Sequence, residues 1–199
     1  MINIEIKKID ERSGITKRDV AAVFVEGYYD LLSTLCKDKK KLTDAFENFV
    51  NEDVFYVAVV DDNPLGIIAC ANNKGRALHL DLKNLKKHLG FFKGTLAYIA
   101  LKKELNTPLA SYSDNSTYIE CVATIPEARG KGIATELMKF VLHELPYSEY
   151  ILEVTDTNIT ARNIYEKIGF KEFERKKERL AKIKGFNYRI YMKINAKEQ

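Results

Sequence analysis

The chain has 199 residues, 46% hydrophobic and 30% charged, which is long enough to bury one core and short for two. Its 32 basic and 28 acidic residues leave a net charge of only +4, too weak to imply nucleic acid as the main partner, though suited to an anionic cofactor. No apolar run reaches membrane-spanning length, and Cys36, Cys70 and Cys121 lack both paired metal spacing and disulfide-scaffold density, so reduced thiols, no bound metal and a cytoplasmic location are expected.

In chain order, Asn3 to Ile9 alternates apolar and polar residues at period two and predicts a strand. From a cap at Thr16, the residues Val20, Val23, Phe24, Tyr28, Leu31, Leu32 and Leu35 recur at helical spacing, predicting one long helix with a single buried stripe. A shorter helix is expected around Leu42, Phe46 and Val50. The β-rich runs Val54 to Val60 and Leu65 to Ala71 flank Asp61-Asp62-Asn63-Pro64, a turn signal that predicts a hairpin.

From Arg76 to Ser113 the pattern changes. Leu82, Leu85 and Leu89, then Phe92, Leu96 and Ile99, carry helical period on either side of Gly90, predicting a two-helix insert between strands. Such an insert would cover the acceptor side of a site or form a dimer contact. Further on, Tyr118 to Thr124 and Glu149 to Thr155 read as strands, Gly132 to Leu145 and Ala161 to Ile168 as helices, and Lys171 to Glu178 and Phe186 to Ile194 as closing strands. Gly169-Phe170 is a helix-stop signature, with glycine in the left-handed position and the next apolar residue packing back. No repeat or composition break divides the chain, so one domain over residues 1–199 is expected.

Two segments carry chemistry. In Val122-Ala123-Thr124-Ile125-Pro126-Glu127-Ala128-Arg129-Gly130-Lys131-Gly132-Ile133-Ala134 a strand gives way to a glycine turn that opens a helix. Free backbone N–H groups and the helix dipole favour an anion there, and Gly130 and Gly132 let the backbone approach it closely. The Walker and dinucleotide glycine patterns are both absent. Downstream, a capping Asn158 precedes a short helix whose apolar side holds Ala161, Ile164, Tyr165 and Ile168. On the residues alone, the glycine turn also fits an ordinary tight connection, and Tyr165 a core aromatic.

Taken together the segments resemble the GNAT superfamily of N-acetyltransferases. Arg129-Gly130-Lys131-Gly132-Ile133-Ala134 matches the family's Gln/Arg-x-x-Gly-x-Gly/Ala motif, and Asn158 to Phe170 resembles its Asn-x-x-Ala-x-x-x-Tyr-x-x-x-Gly-Phe stretch. The resemblance implies an α/β fold with a mostly antiparallel mixed sheet, flanked by helices and splayed between the strands Tyr118 to Thr124 and Tyr150 to Thr155. It implies acetyl-CoA as co-substrate, with Val122, Ala123 and Thr124 pairing with the pantetheine arm. Arg129, Gly130, Lys131, Gly132, Ile133, Ala134 and Thr135 would hold the pyrophosphate, and Asn158 would contact pantetheine or cap its helix. Tyr165 is the implied acid for the departing thiolate, and Glu120, on the incoming strand, the candidate base. Strict strand alternation puts Glu120 on one side with Val122 and Thr124. Asp156 and the Tyr28-Tyr29-Asp30 cluster are candidate acceptor contacts, whereas His79, His88 and His143 have neither metal spacing nor a nucleophile partner.

The expected activity is transfer of acetyl to a primary amine by direct attack, the acceptor being a small-molecule amine. A protein or peptide N-acetyltransferase and a non-catalytic CoA-binding sensory domain are the alternatives. A homodimer is a further expectation; nucleic acid and membrane are not expected partners.

Overall fold

The computed structural model describes residues 3–10, 12–73, 75–106 and 113–196. Seven strands form one sheet: β1 (Glu5–Lys8), β2 (Phe55–Val60), β3 (Asn63–Ala71), β4 (Ser116–Thr124), β5 (Glu149–Thr155), β6 (Lys171–Lys177) and β7 (Tyr188–Asn195). Their spatial order is β1-β2-β3-β4-β5-β7-β6, and neighbours are antiparallel except at β4/β5. The expected mixed, mostly antiparallel α/β sheet is therefore present.

Both faces of the sheet are covered at β2 and β3, whereas β6 is exposed along its length. On β3, Ile67 and Ala69 enter one apolar cluster and Ile68 and Cys70 the other, as period two requires when both sides are buried. One cluster packs α1 (Lys17–Gly27), α3 (Lys39–Phe46) and the insert helices α4 (Leu82–Leu89) and α5 (Phe91–Asn106). The other packs α6 (Ile133–Glu144) and α7 (Ile159–Ile168). Two helical segments of four residues, α2 (Tyr29–Leu32) and α8 (Ala181–Lys184), complete the order.

Local chemistry sets the boundaries. Thr16 caps α1 in a reciprocal box with Asp19, as its position predicts. The β2/β3 hairpin turns through Asp61 and Asp62, whose φ angles of 48° and 60° suit the tight turns that match strand twist. Gly169, at φ 114°, ends α7, and the Phe170 amide donates back to the Tyr165 carbonyl at 3.0 Å.

One expectation needs correction. The single helix from Thr16 to Leu35 breaks at Tyr28, which leaves helical geometry as its hydroxyl reaches across to β4; Leu31, expected in the buried stripe, is 58% exposed. The two insert helices form as expected, and the second stripe faces outward: Phe92, Leu96 and Ile99 are 85%, 61% and 69% exposed. Here α5 meets α4 through its small residues. A Cβ on Gly94 would stand 2.6 Å from the Leu85 carbonyl carbon, so the close approach requires glycine there; Ala97 is buried, Tyr98, Leu101 and Leu105 pack on the core, and Phe92, Leu96 and Ile99 are left to solvent.

Candidate active site

The parallel β4/β5 pairing runs from Ser116 opposite Glu149 to Ile119 opposite Leu152. Beyond that point each strand follows its other neighbour: Glu120 to Thr124 stay with β3, and Val154 and Thr155 with β7. The sheet splits there.

A bulge shapes the β4 lip of the split. Ala69 pairs with Glu120 and Ile67 with Ala123, so Cys121 and Val122 together oppose Ile68, and Cys121 takes a φ of 52°. The extra residue breaks the alternation expected from sequence. Glu120 shares the sheet side of Ala123, not of Val122 and Thr124: Ala123 lies with the α1 cluster, whereas Val122 packs against the cluster of α6 and α7. The bulge also settles which backbone groups face the opening. Ile125 donates to the Leu65 carbonyl at 3.0 Å, and stepping by two along an antiparallel ladder assigns the Ala123 groups to β3, leaving those of Val122 and Thr124 directed into the split. Side chains find both free carbonyls: the Tyr28 hydroxyl donates to Val122 O at 3.3 Å, and Arg129 Nε to Thr124 O at 3.4 Å.

After β4, a short 3₁₀ turn at Pro126–Ala128 leads to the glycine turn. Gly130 and Gly132 adopt φ angles of 75° and 83°, and nothing stands within 4 Å of where a Cβ would be. Backbone conformation, not crowding, selects glycine, and the space above the turn is open. Gly132 is the N-cap of α6 and offers no side-chain acceptor to the first-turn amides. Arg129, Lys131 and both glycines are exposed, Ala134 and Thr135 are half-buried, and Ile133 packs beneath.

On the β5 side, Asn158 Oδ1 accepts from the Ala161 amide at 3.2 Å, so the cap role read from sequence is made. The same helix turns Tyr165 inward. Only 8% exposed, it lies 6.0 Å from Phe170 between ring centroids, and burial pushes its phenol up to about 12. Tyr28 enters from the opposite layer. Burial first, then the neighbouring Cys121, Tyr165 and Glu120 groups, raise its phenol well above the usual value. The α1 terminus reaches this point because Gly27 lies against Ala123, where a Cβ would come within 2.5 Å of the alanine's own. Tyr28, Tyr165, Cys121 and Glu120 thus gather at the split. Burial, then Glu120, also holds the Cys121 thiol well above its usual value.

The carboxylates beside the split are held by arginines. Arg76 donates to Glu120 Oε1 through Nε at 2.7 Å and through Nη2, while the Ala77 amide donates to Oε2 at 2.9 Å. Arg76 Nη2 also reaches the Glu104 carbonyl at 2.9 Å. Across the opening, Arg189 binds the Glu104 carboxylate at 2.8 and 3.0 Å, Glu153 at 2.5 Å and Glu178 at 2.9 Å. The end of α5 is thereby tied to both lips. Of the other acceptor candidates, Asp156 accepts from the Asn187 amide at 3.0 Å, Tyr29 donates to the Lys37 carbonyl at 2.8 Å, and Asp30 is exposed. Among the described residues no group of His, Cys, Asp and Glu forms a metal site, and no helix is long and apolar enough to cross a membrane.

Sequence reasoning missed the Cys121 bulge and Arg76. A bulge at a cysteine leaves no compositional mark, and Arg76 finds Glu120 only through the fold. Gly27-Tyr28, a small residue before an aromatic, was the one available hint of the α1 approach.

Comparison with known proteins gives the family. The family model described as Acetyltransferase (GNAT) family matches residues 24–170. Among solved structures, an N-acetyltransferase from Staphylococcus aureus Mu50 superposes with a TM-score of 0.60 at 20% identity, over 96% of this chain and 100% of that one. The ribosomal-protein-S18-alanine N-acetyltransferase from Escherichia coli gives 0.59 at 11% identity, over 98% and 94%. A GNAT family acetyltransferase from Elizabethkingia anophelis, with acetyl-CoA bound, gives 0.53 at 14% identity, over 97% and 98%. No curated protein matches the sequence. The structural likenesses speak for the fold, and the family model, laid over most of the chain and across both lips of the split, makes this protein a member of the GNAT family of acetyltransferases.

Proposed function

We propose that the protein transfers the acetyl group of acetyl-CoA to the primary amine of a small molecule by direct nucleophilic attack, as one domain working in the cytoplasm. The observation that carries this reading is the β4/β5 split, with an open glycine turn at its β4 end and a buried tyrosine on its β5 side.

The residues fit the cofactor on their own geometry. Positive φ at Gly130 and Gly132, clear space above them and an uncapped α6 terminus make a cradle for a diphosphate, formed by the amides from Arg129 to Thr135 with the Lys131 cation beside them. Val122 and Thr124 offer strand-edge groups to an extended amide-bearing arm. Ala123 serves by packing instead, since its backbone belongs to β3. With Oδ1 of Asn158 engaged in the cap, its Nδ2 is the donor for the same arm. Acetyl-CoA would supply an activated thioester.

For the transfer, the amine must present a lone pair, lose a proton, and leave the displaced sulfur stabilised. The protein contributes orientation first, which is worth on the order of 7 to 11 kcal/mol when reacting groups are held in line. Cys121 does not intervene as a nucleophile, because a thiol raised by burial remains neutral. Tyr165 is the donor to the sulfur. Full proton transfer from a phenol at about 12 to a thiolate whose conjugate acid lies near ~8.5 is uphill by roughly 5 kcal/mol, so Tyr165 keeps its proton and acts as a neutral hydrogen-bond donor to the developing charge, the departing thiolate taking its proton from solvent. Glu120 has both oxygens occupied and is assigned as a positioning residue that fixes the start of the insert against β4, while the amine proton passes to water.

Thiol release from acetyl-CoA, measured across a panel of small amines and peptides, tests the proposal. Turnover with a small amine supports it. Turnover confined to peptides reassigns the acceptor, and binding without turnover toward any amine reassigns the protein as a CoA-binding module.

A further inference from the structure

Residues 82–103 contain six lysines, at positions 83, 86, 87, 93, 102 and 103, and no aspartate or glutamate. That is more positive charge than the whole chain's net of +4, so the remainder of the protein is net acidic; the one acid on α4 and α5, Glu104 near the end of α5, is held by Arg189 and Lys184. Among the described residues the same two helices carry the densest group of exposed large apolar side chains: Phe91, Phe92, Leu96 and Ile99 are 64%, 85%, 61% and 69% exposed. Phe92, Leu96 and Ile99 follow one another at helical spacing along the outer side of α5, opposite the Gly94 and Ala97 seam. Lysines border the stripe: Lys86 Nζ stands 4.3 Å from the Phe91 ring centroid, and Lys87, Lys93, Lys102 and Lys103 are exposed.

An apolar stripe of this kind on an otherwise well-packed protein signals something that covers it. Three occupants differ in chemistry. A second copy meeting the stripe face to face would set the same lysines against one another, with no acid on the segment to answer them. A single-stranded nucleic acid needs flat rings in series, and the centre of this stripe is aliphatic at Leu96 and Ile99. An anionic lipid surface answers both halves at once, taking apolar side chains at the acyl boundary and lysines at the headgroup level.

We propose that the outer face of α5 docks the protein on anionic membrane surfaces, with the helix lying in the plane of the interface. Such docking is distinct from spanning, for which no helix among the described residues is long and apolar enough. It stands independently of the acetyl-transfer reading, because none of the residues involved lines the split.

The test uses the full chain with vesicles of phosphatidylcholine alone and of an equal mixture of phosphatidylcholine and phosphatidylserine. Because the chain has no tryptophan, Phe92→Trp places a single indole reporter in the stripe. The expected result is co-sedimentation with the anionic vesicles only, reversed by salt, with a blue shift of the Phe92→Trp emission. Phe92→Ser with Leu96→Ser, and separately Lys87→Glu with Lys93→Glu, should each weaken partitioning by about ten-fold or more while the melting temperature holds, since these side chains are exposed. Folded wild-type protein that ignores anionic vesicles at low salt would overturn the proposal, as would equal binding to both vesicle types. Light scattering supplies a further check: a wild-type dimer that Phe92→Ser with Leu96→Ser converts to monomer would identify a second copy as the occupant instead. Salt-sensitive binding of a single-stranded oligonucleotide, lost in the same variants without vesicle binding, would likewise overturn it.

Discussion

The segment from Tyr118 to Phe170 and the insert from Arg76 to Asn106 are built to different rules. In the first, the groups proposed to bind the cofactor are mostly backbone: strand-edge groups at Val122 and Thr124 and the amides of the glycine turn. In the second, the connections to the rest of the protein run through side chains, with Arg76 bound to Glu120 and Glu104 bound to Arg189. Where backbone geometry does the work, residue type follows from local conformation, as the positive φ angles of Gly130 and Gly132 require. Where ion pairs do it, the partners lie 44 and 85 positions apart, and nothing local names them.

The sharpest contrast between the two regions is kinetic against thermodynamic. Tyr165→Phe should leave acetyl-CoA binding in place and lower kcat by about 10²- to 10³-fold, because it deletes only the donor hydroxyl. Melting temperature measured alongside separates this from a packing defect. Wild-type turnover by a stable variant, with chemistry shown to be rate-limiting, would remove Tyr165 from the mechanism.

In the insert the order of effects should reverse. Arg76→Met and Glu120→Gln each leave a nearly buried partner uncompensated, the side chains being 12% and 9% exposed, and the expected loss of stability is on the order of 3 to 5 kcal/mol. The fall in kcat should stay within about ten-fold, against the ~10²- to 10⁴-fold that loss of a general base would cost. Steady-state kinetics and denaturant melts on both variants decide between anchor and base for Glu120.

The same division explains what could be read from the sequence. The strand and helix order was legible because each element carries its own period, and Glu149–Thr155 appears with the bounds its pattern predicts. The glycine turn and the Asn158 cap were legible because their residue types are local necessities. The bulge at Cys121 was not, since a cysteine at φ 52° depends on β3 counting one residue fewer than β4. Strict alternation therefore assigned Glu120 to the wrong companions. The outward direction of the stripe on α5 was not legible for a related reason: periodicity marks a face without saying which face is buried, and the close approach at Gly94 decides that.

Smaller effects sharpen the comparison through pH. Tyr165 is raised to about 12 in the folded protein from ~10 in an unfolded chain, so its contribution is fully present below pH ~10 and lost as pH rises through about 12. Wild type should lose on the order of 2 to 3 kcal/mol more than Tyr165→Phe across that window, a difference that paired alkaline melts would reveal. No limb of the pH–rate profile below that window should belong to Tyr165; activity should rise with pH as the acceptor amine becomes neutral.

The smallest expected effect lies at the tie between α5 and the sheet. The Leu180 amide, then Arg189 and Lys184, hold Glu178 at about 2, below an unfolded value of ~4.3. Its contribution is present above pH ~4.3 and lost as pH falls toward about 2, so Glu178→Gln should flatten the acid limb of the stability curve. An unchanged acid limb would show that the tie is loose in solution.

The central claim, that the glycine turn and the β4/β5 split receive acetyl-CoA, is tested most directly by calorimetric titration of acetyl-CoA into wild-type protein and Gly132→Val. A β-branched residue at φ 83° fills the open space above the turn and costs roughly 1 to 2 kcal/mol of backbone strain, so each melting curve must first show a folded protein. Wild type should bind with a dissociation constant on the order of micromolar to millimolar, and folded Gly132→Val should show no measurable heat of binding. Equal binding by both proteins would contradict the account.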